Sequence, residues 1–361
     1  MVVDLLMFAA GLGALVVGAE LLVRGASRLA LSMGISPLVV GLTVVAFGTS
    51  SPEGAVSVQS AWSGQIDLAI GNVIGSNLFN VLVVLGVCAI VAPLAVGSQV
   101  IRQEVPILIA ASLLLVGVTL DGGISRIEAA VLFALLLAYT AFVIRQSRAG
   151  GNEEAVREFE AELAAPADSP RWDDPRSVQL LLIVGGLALL VTGSNWLVAA
   201  AVSFATAFGV SELIVGLTIV AAGTSLPELA ASLVAVLRGE RDIAVGNVIG
   251  SNLFNILGVL GVAGIVSPTA LQVPASVLYF DLPAMVAVAI ACLPVFFSER
   301  RIGRWEGAMF IAYYVAYIAY LVLDARGYHA LETYREVMLF AVIPLTVVTI
   351  AVVTWRSATP R

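Results

Sequence analysis

Long runs of apolar residues, separated by short polar segments, occupy most of the chain. A run of about 20 such residues lets an α-helix cross a bilayer, and the strict alternation of membrane β-strands is absent. The pattern therefore predicts an all-α polytopic membrane protein with eleven spans. We place these spans at residues 4–27, 37–62, 67–92, 99–120, 127–146, 178–203, 211–237, 242–266, 275–297, 304–323 and 337–355.

Composition supports this class and excludes others. Of the 361 residues, 60% are hydrophobic and 12% are charged, whereas a soluble domain is about half apolar and about a quarter charged. The net charge of −7 offers no basic surface for nucleic acid. Cys88 and Cys292 lie inside apolar runs, so we expect small buried side chains rather than a disulfide or metal site. Met1 leads into the first run without a basic segment, which favours a retained span over a signal peptide.

One polar stretch divides the spans into two sets of five. Residues 147–177 are rich in acidic residues and prolines. We expect a solvated linker there; a regulatory cation-binding loop is the alternative, although the usual calcium-loop pattern is missing. The chain is then organised as a first half at 1–146, the linker, a second half at 178–323, and a C-terminal part at 324–361. This last part holds the eleventh span, which has no counterpart.

The placement of arginine predicts the topology. If the N-terminus is outside, fifteen of the 18 basic residues fall on the cytoplasmic side, and only Arg126, Arg326 and Arg335 fall outside. Cytoplasmic loops of membrane proteins carry an excess of basic residues. This rule places the acidic linker and the C-terminus in the cytoplasm.

A ten-residue motif relates the two halves. GNVIGSNLFN fills Gly71–Asn80 and occurs again at Gly246–Asn255, and a shorter motif precedes each copy, GTSSPE at Gly48–Glu53 and GTSLPE at Gly223–Glu228. Both repeat at an offset of 175 residues. Because five spans is an odd number, the second half enters the membrane from the opposite side, which predicts an inverted repeat. Such repeats with broken helices are typical of secondary transporters whose site lies near the midplane. The repeated regions cover about residues 36–92 and 211–266.

Pro52 and Pro227 lie within the apolar spans. A proline lacks the amide hydrogen and clashes with the preceding turn. Each is therefore expected to break its helix and to release the carbonyl four residues earlier, at Gly48 and Gly223. Unpaired backbone oxygens inside a membrane are tolerated only beside a cavity or a ligand, so the breaks mark a candidate site.

Oxygen-bearing side chains gather around the two breaks. Helical spacing places two hydroxyls on the same face as the glutamate that follows each proline. An ionisable group deep in a span is costly and points to function. Oxygen ligands without Cys or His suit Ca²⁺ and Na⁺ rather than zinc. The candidate ligands are Thr49, Ser50, Glu53, Ser76 and Asn80 in the first half, and Thr224, Ser225, Glu228, Ser251 and Asn255 in the second.

Other residues of the repeated motif have structural interpretations. Its glycines have the small-xxx-small spacing of closely packed helices; they are Gly71, Gly75, Gly246 and Gly250. For Asn77 and Asn252, a hydrogen bond between helices and a place in the site are equally open.

Charged residues outside the motifs are expected at the membrane surfaces. Glu20, Arg24 and Arg28 follow one another at intervals of four, which predicts an ion-pair ladder on one helix. The remaining surface candidates are Asp121, Asp281, Glu299 and His329.

The paired motifs resemble the two α-repeats of the cation/calcium exchanger superfamily, which includes sodium/calcium exchangers. The resemblance covers about residues 1–323, with the motifs in the family's order and at matched spacing. It implies a ten-span fold in a prokaryotic cell membrane, with an external N-terminus and alternating access in which the first and sixth spans move. It implies Ca²⁺ and Na⁺ as transported ions and no cofactor; no protein partner can be inferred.

Carried over to this chain, the resemblance makes the ten candidate side chains cation ligands, with Ser76 and Ser251 as outer sodium ligands and Asn80 and Asn255 as the polar pair at the centre of the site. It adds main-chain oxygens near Ala46 and Ala221. Asn255 departs from the family, because many sodium/calcium exchangers carry Asp at that position. Two carboxylates balance one Ca²⁺ but not three Na⁺, so the ion ratio stays open; a protonated Asp would make Asn a close isostere.

The leading hypothesis is a secondary antiporter that exchanges Ca²⁺ for Na⁺. The alternative is a Ca²⁺/H⁺ or other cation/H⁺ antiporter, because buried glutamates can also carry protons. The inverted repeat argues against a passive channel. The chain has no P-loop, no His-Glu-x-x-His motif and no histidine within a predicted span, which argues against an intramembrane enzyme.

Overall fold

The computed structural model describes residues 2–149, 173, 175–207, 221–297, 300–325 and 330–348. These residues are almost entirely helical, as the apolar runs predict. Within these ranges, eight helices are long and apolar enough to cross a membrane, and two further helices, joined by a bend of 47°, form a ninth candidate span. Large side chains such as Leu6 and Ile127 lie exposed on the outside, where lipid would cover them. The chain is a multi-pass helical membrane protein.

The helices of the first half begin and end within a few residues of the predicted spans. The largest difference is at the end of the first helix, which continues to Met33 because its last polar turns are still good helix formers. The helices are α1 (Val2–Met33), α2 (Pro37–Thr49), α3 (Ser51–Trp62), α4 (Ile66–Val91), α5 (Val100–Val118) and α6 (Arg126–Arg148).

The second half has helices at matching places. Predicted span 211–237 and the eleventh span lie only partly within the described residues. The last helix begins at Ala330, seven residues before the predicted span, because the polar stretch through Val337 is also helical. The helices are α7 (Arg176–Ala207), α8 (Leu226–Leu237), α9 (Arg241–Val266), α10 (Val277–Phe297), α11 (Arg304–Ala325) and α12, which starts as Ala330–Val337 and Met338–Val342 and continues through 343–348.

Two pairs of very short strands connect the halves. Strand β1 (Leu94–Ala95), which follows α4, pairs antiparallel with β4 (Arg301–Ile302), which follows α10. Strand β2 (Gly123–Ile124), which follows α5, pairs antiparallel with β3 (Leu271–Gln272), which follows α9. A run of two residues is too short to show the alternation that identifies a strand. The pairs nevertheless tie each half to the other by backbone hydrogen bonds.

The two longest helices, α1 and α7, pack against each other along a line of glycines. A Cβ added at Gly18 would lie 2.8 Å from the carbonyl oxygen of Gly186, and one at Gly11 would lie 2.8 Å from that of Gly193. Backbones approach this closely only where side chains are absent. The seven-residue spacing from Gly11 to Gly18 and Gly25 is visible in the sequence and indicates this seam.

The repeated motif lies in the centre of the molecule. Helices α4 and α9, which carry its two copies, are the most deeply buried of the candidate spans. Cys88 in α4 and Cys292 in α10 are buried free thiols, as expected for small apolar side chains.

The predicted ladder on α1 is wrong, because its members bond to other parts of the chain. Glu20 forms an ion pair with Arg238, which follows α8. Arg24 donates to Asp173 at 2.8 Å, and Arg28 lies 3.6 Å from the same carboxylate oxygen. Burial raises the pKa of Asp173, but the hydrogen bond from Arg24 and the charge of Arg28 outweigh it and hold that pKa below its usual value. The end of the acidic linker is thereby attached to α1.

The other charged residues placed at the surface differ in their surroundings. Asp121 is exposed after α5 and accepts a hydrogen bond from the backbone of Gly123 at 3.3 Å. Asp281 lies in the first turns of α10 and accepts from the hydroxyl of Tyr317 at 2.9 Å. Residues 299 and 329 lie outside the described residues.

Candidate functional site

The first break in the helices lies where Pro52 predicts it. Helix α2 ends at Thr49, and α3 begins at Ser51 with Pro52 as its second residue. Ser50 sits between them with φ −79° and ψ 3°, and the two helix axes differ by 47°. A proline in the first turn of a helix costs nothing, because that amide has no intrahelical acceptor. Ala46, which the resemblance made a main-chain ligand, lies in the last four residues of α2.

The second break follows the same plan. A short helical turn runs from Ala221 to Gly223, and α8 begins at Leu226 with Pro227 as its second residue. The carbonyl of Gly223, predicted to be released by this proline, accepts a hydrogen bond from Ser194 of α7 at 2.5 Å. The break is confirmed, and one released oxygen is satisfied by a neighbouring helix.

The two glutamates are fully buried, and each is bonded by a serine of the other half. Ser225 donates to Oε1 of Glu53 at 2.9 Å, and Ser50 donates to Oε1 of Glu228 at 3.0 Å. The Oε2 atom of each glutamate has no hydrogen-bond partner among the residues that the structure describes. A buried carboxylate oxygen without a partner is costly, and each glutamate has one such oxygen that a ligand could satisfy.

The two threonines also reach across to the other half. Thr49 donates to Oδ1 of Asn247 at 3.0 Å, and Thr224 donates to Oδ1 of Asn72 at 3.3 Å. Thr49 lies 3.4 Å from the hydroxyl of Ser251 as well. The motif therefore brings in two asparagines that sequence reasoning missed. Their signal was their place at the second position of both motif copies.

Each of these asparagines is also bonded to its own half. The amide nitrogen of Asn247 donates to the Ser232 hydroxyl at 2.9 Å and lies 3.4 Å from the carbonyl oxygen of Glu228. The amide nitrogen of Asn72 makes the matching bonds within the first half. These are to the Ser57 hydroxyl at 2.9 Å and to the carbonyl oxygen of Glu53 at 3.3 Å.

The asparagines that end the two motif copies are buried but bonded unequally. Asn80 donates to Oδ1 of Asn252 at 3.1 Å, whereas neither amide atom of Asn255 has a partner within the described part of the chain. The hydroxyl of Ser76 and the Oδ1 of Asn80 are likewise unpartnered there. Several buried polar atoms of the motif therefore lack a partner among the described residues, which is costly unless a ligand satisfies them.

Asn77 and Asn252, for which a bond between helices and a place in the site were equally open, link helices. Asn252 donates to the carbonyl of Asn77 at 3.3 Å, and Asn77 donates to the sulfur of Met285 at 3.5 Å. Bonding between helices is thus observed for both, although Oδ1 of Asn77 has no partner among the described residues.

Close helix packing is confirmed for the glycines of the second motif copy. A Cβ at Gly246 would lie 2.7 Å from the carbonyl oxygen of Leu38, and one at Gly250 would lie 2.6 Å from that of Leu42. For Gly71 and Gly75, no described atom lies within 4 Å of such a Cβ. The second copy therefore sits directly against α2, next to the first break.

The donor set is made of oxygen. In the described ranges, no group of three or more His, Cys, Asp and Glu side chains comes together. Two carboxylates, four hydroxyls and several amides surround the breaks instead. Such a set matches the ligand preferences of Ca²⁺ and Na⁺, which take carboxylate, hydroxyl and carbonyl oxygens.

Comparison with known proteins identifies the family. The sequence pattern of the family described as sodium/calcium exchanger protein matches residues 3–145 and 178–323. This chain belongs to that family. The resemblance to the cation/calcium exchanger superfamily is thereby confirmed, and with it a membrane antiporter that transports ions.

Individual relatives agree with this family. The putative antiporter CaxA of Alkalimonas amylolytica is 42% identical, over 85% of this chain and 95% of its own length. The sodium/calcium exchanger MaX1 of Methanosarcina acetivorans is 30% identical, over 88% of this chain and 98% of its own length. A solved structure of the sodium-calcium exchanger NCX_Mj, soaked with Na⁺ and Ca²⁺, superposes with a TM-score of 0.74 at 29% identity. That superposition covers 88% of this chain and 98% of the other.

Proposed function

We propose that this family member extrudes Ca²⁺ from a prokaryotic cell in exchange for Na⁺, by alternating access. The observation that carries the proposal is the pair of buried glutamates, Glu53 and Glu228, each with one oxygen bonded by the other half and one oxygen without a partner. The relatives named sodium/calcium exchanger support the choice of ions.

The ions are held by oxygens around the two helix breaks. The two carboxylates supply the charge, and the neutral oxygens complete the coordination shell. Ca²⁺ and Na⁺ use overlapping ligands, so binding of one excludes the other. The proposed ligands are Glu53, Glu228, Thr49, Ser50, Thr224, Ser225, Asn80, Asn255, Ser76 and Ser251, with main-chain oxygens at Ala46 and Ala221.

The architecture is two inverted five-span halves with one added C-terminal span. Two observations support this organisation, together with the odd number of spans predicted for each half: the crossed strand pairs, and the matching hydrogen bonds around both glutamates. The halves are residues 1–146 and 178–323, joined by a cytoplasmic linker at 147–177. The N-terminus is outside, and the segment 324–361 returns the C-terminus to the cytoplasm.

The moving part is the pair α1 and α7. Their glycine seam gives them a smooth contact with each other. In the loaded site the cation neutralises the carboxylates. This lowers the free-energy cost of moving the apolar surface of α1 and α7 past them. In the empty site the two negative charges oppose that movement.

The test is ⁴⁵Ca²⁺ uptake into proteoliposomes loaded with Na⁺, with the Na⁺, K⁺ and pH gradients varied separately. We expect uptake that follows the outward Na⁺ gradient and stops when that gradient is removed. Uptake that does not depend on the Na⁺ gradient would reject the proposal.

A Ca²⁺/H⁺ or other cation/H⁺ exchange is the second candidate. The unpartnered Oε2 atoms favour it, because a protonated glutamate would also be neutral. In the same experiment, uptake driven by a pH gradient without Na⁺ would select this candidate.

A further inference from the structure

Asn72 and Asn247 stand at matching places in the two motif copies but are not among the proposed ligands. We propose that they are positioning residues that hold the threonines of the opposite half in the orientation that binds the cation. This inference rests on the proposed function. It means that hydrogen bonds from each half orient a ligand of the other half.

Two hydrogen bonds fix the orientation of the Asn247 amide. Its nitrogen faces the carbonyl oxygen of Glu228, at 3.4 Å, and the hydroxyl of Ser232, at 2.9 Å. A carbonyl oxygen can only accept, so the nitrogen must be the donor and Oδ1 must point the other way. Asn247 is fully buried, so water does not compete for these bonds.

The hydroxyl of Thr49 lies close to two acceptor oxygens. Its oxygen lies 3.0 Å from Oδ1 of Asn247 and 3.1 Å from the carbonyl oxygen of Val45. Both of these oxygens can only accept, so Thr49 shares its single hydrogen between them, and its lone pairs are left for a cation. Without Asn247 the hydroxyl would keep only the carbonyl oxygens of its own helix as acceptors, and nothing from the other half would hold its orientation.

The same construction occurs around Asn72. Its amide nitrogen is held by Ser57 and by the carbonyl of Glu53, and its Oδ1 accepts from Thr224 at 3.3 Å. Each asparagine therefore joins the backbone of one glutamate to the threonine of the other half. Aspartate could not replace it, since a carboxylate cannot donate to a carbonyl oxygen.

The test is a double-mutant cycle on equilibrium ⁴⁵Ca²⁺ binding to the purified chain. We expect Asn247→Ala to weaken binding about five- to tenfold, which is the effect of losing one or two neutral hydrogen bonds. In a Thr49→Val background, the same substitution should cost about twofold or less, because its partner is already gone. The pair Asn72 and Thr224 should behave in the same way.

The crossed pair supplies the matched control. Thr49 and Asn72 share no hydrogen bond, so Thr49→Val and Asn72→Ala should weaken binding by factors that multiply. Ser112→Ala removes a buried hydroxyl whose bond, among the described residues, is to the carbonyl of Leu108 in its own helix at 2.8 Å, and it should leave binding unchanged.

The outcomes separate this inference from the proposed function. No Ca²⁺ binding by the unsubstituted chain would reject both. Normal binding there, with factors that multiply in the matched pairs as they do in the crossed pair, would overturn the positioning role alone. Failure of both Asn247→Ala and Asn247→Asp to give folded protein, judged by circular dichroism and melting, would make the residue structural and would overturn it too.

Discussion

Around Glu53 and around Glu228 the same hydrogen bonds recur, with a serine from the opposite half and an asparagine from the same half. Each carboxylate accepts from one serine, and each backbone carbonyl accepts from one asparagine. At the centre the agreement ends: Asn80 is bonded to Asn252, and Asn255 is not bonded by any described residue. The rim of the site, meaning the two glutamates and the serines bonded to them, is thus symmetric. At the centre, Asn80 and Asn255 are bonded differently.

This difference separates two tasks. The bonds to the carboxylates occur in both halves, as expected if they hold the glutamates in place. The central atoms without a described partner are, under the proposed function, the ones left for the ions. The four predictions that follow either break this division or sharpen it, in order of decreasing effect on transport.

The largest effect is expected at the carboxylates. Glu53→Gln or Glu228→Gln removes one of the two charges that balance Ca²⁺, yet the amide keeps the shape and can still accept from serine. We expect gradient-driven ⁴⁵Ca²⁺ flux to fall by more than about a hundredfold, because one remaining buried carboxylate balances only half of the charge of Ca²⁺. Asp121→Asn, at an exposed loop position, is the control. Near-normal flux in both glutamine variants would remove these residues from the mechanism.

The next effect concerns the unequal centre. Asn255→Asp adds a carboxylate where neither amide atom has a described partner, so it should change the Na⁺ dependence of Ca²⁺ flux and make it more cooperative. Asn80→Asp should in addition weaken the site, because it loses the donated bond to Asn252. The measurement is flux against Na⁺ concentration. An unchanged dependence in Asn255→Asp would refute the charge argument.

The third prediction tests the symmetry of the rim. Ser50→Ala and Ser225→Ala each remove one hydrogen bond to a buried carboxylate, at 3.0 and 2.9 Å. We expect each to weaken Ca²⁺ binding by about tenfold or more, the usual cost of a bond to a charged group, and by similar factors. A large effect in one variant and none in the other would show that the two rims do different work.

The smallest effect on transport is expected at the packing of the second motif copy. Gly250→Ala would place a Cβ 2.6 Å from the carbonyl oxygen of Leu42, so the helices must separate slightly. We expect a loss of about 1–3 kcal/mol in the free energy of unfolding, seen as a lower Tm. Gly117→Ala, at an exposed position of α5 where no described atom lies within 4 Å, should not lower the Tm, because alanine is the better helix former. Equal melting of both variants would contradict the close contact.

Much of the fold and the two helix breaks could be predicted from sequence, because span length and proline chemistry are local. The glutamates could be predicted as well, since a charge inside an apolar run has few explanations. The pairing of Ser50 with Glu228 could not, because spacing along a helix shows which residues share a face but not which distant helix they meet. The ladder predicted on α1 is wrong for the same reason. Regular spacing suggested that Glu20 pairs with Arg24, but Glu20 pairs with Arg238, which follows α8.

The crossed serine bonds have a meaning for ancestry. A chain that ended after its first half would carry Ser50 and Glu53 but would lack Ser225, the donor that satisfies its own carboxylate. Such a chain could complete the site only by meeting a second copy of itself. The crossed bonds therefore meet the requirement that an ancestor made of two short identical chains would have had, and fusion of two such copies would preserve them.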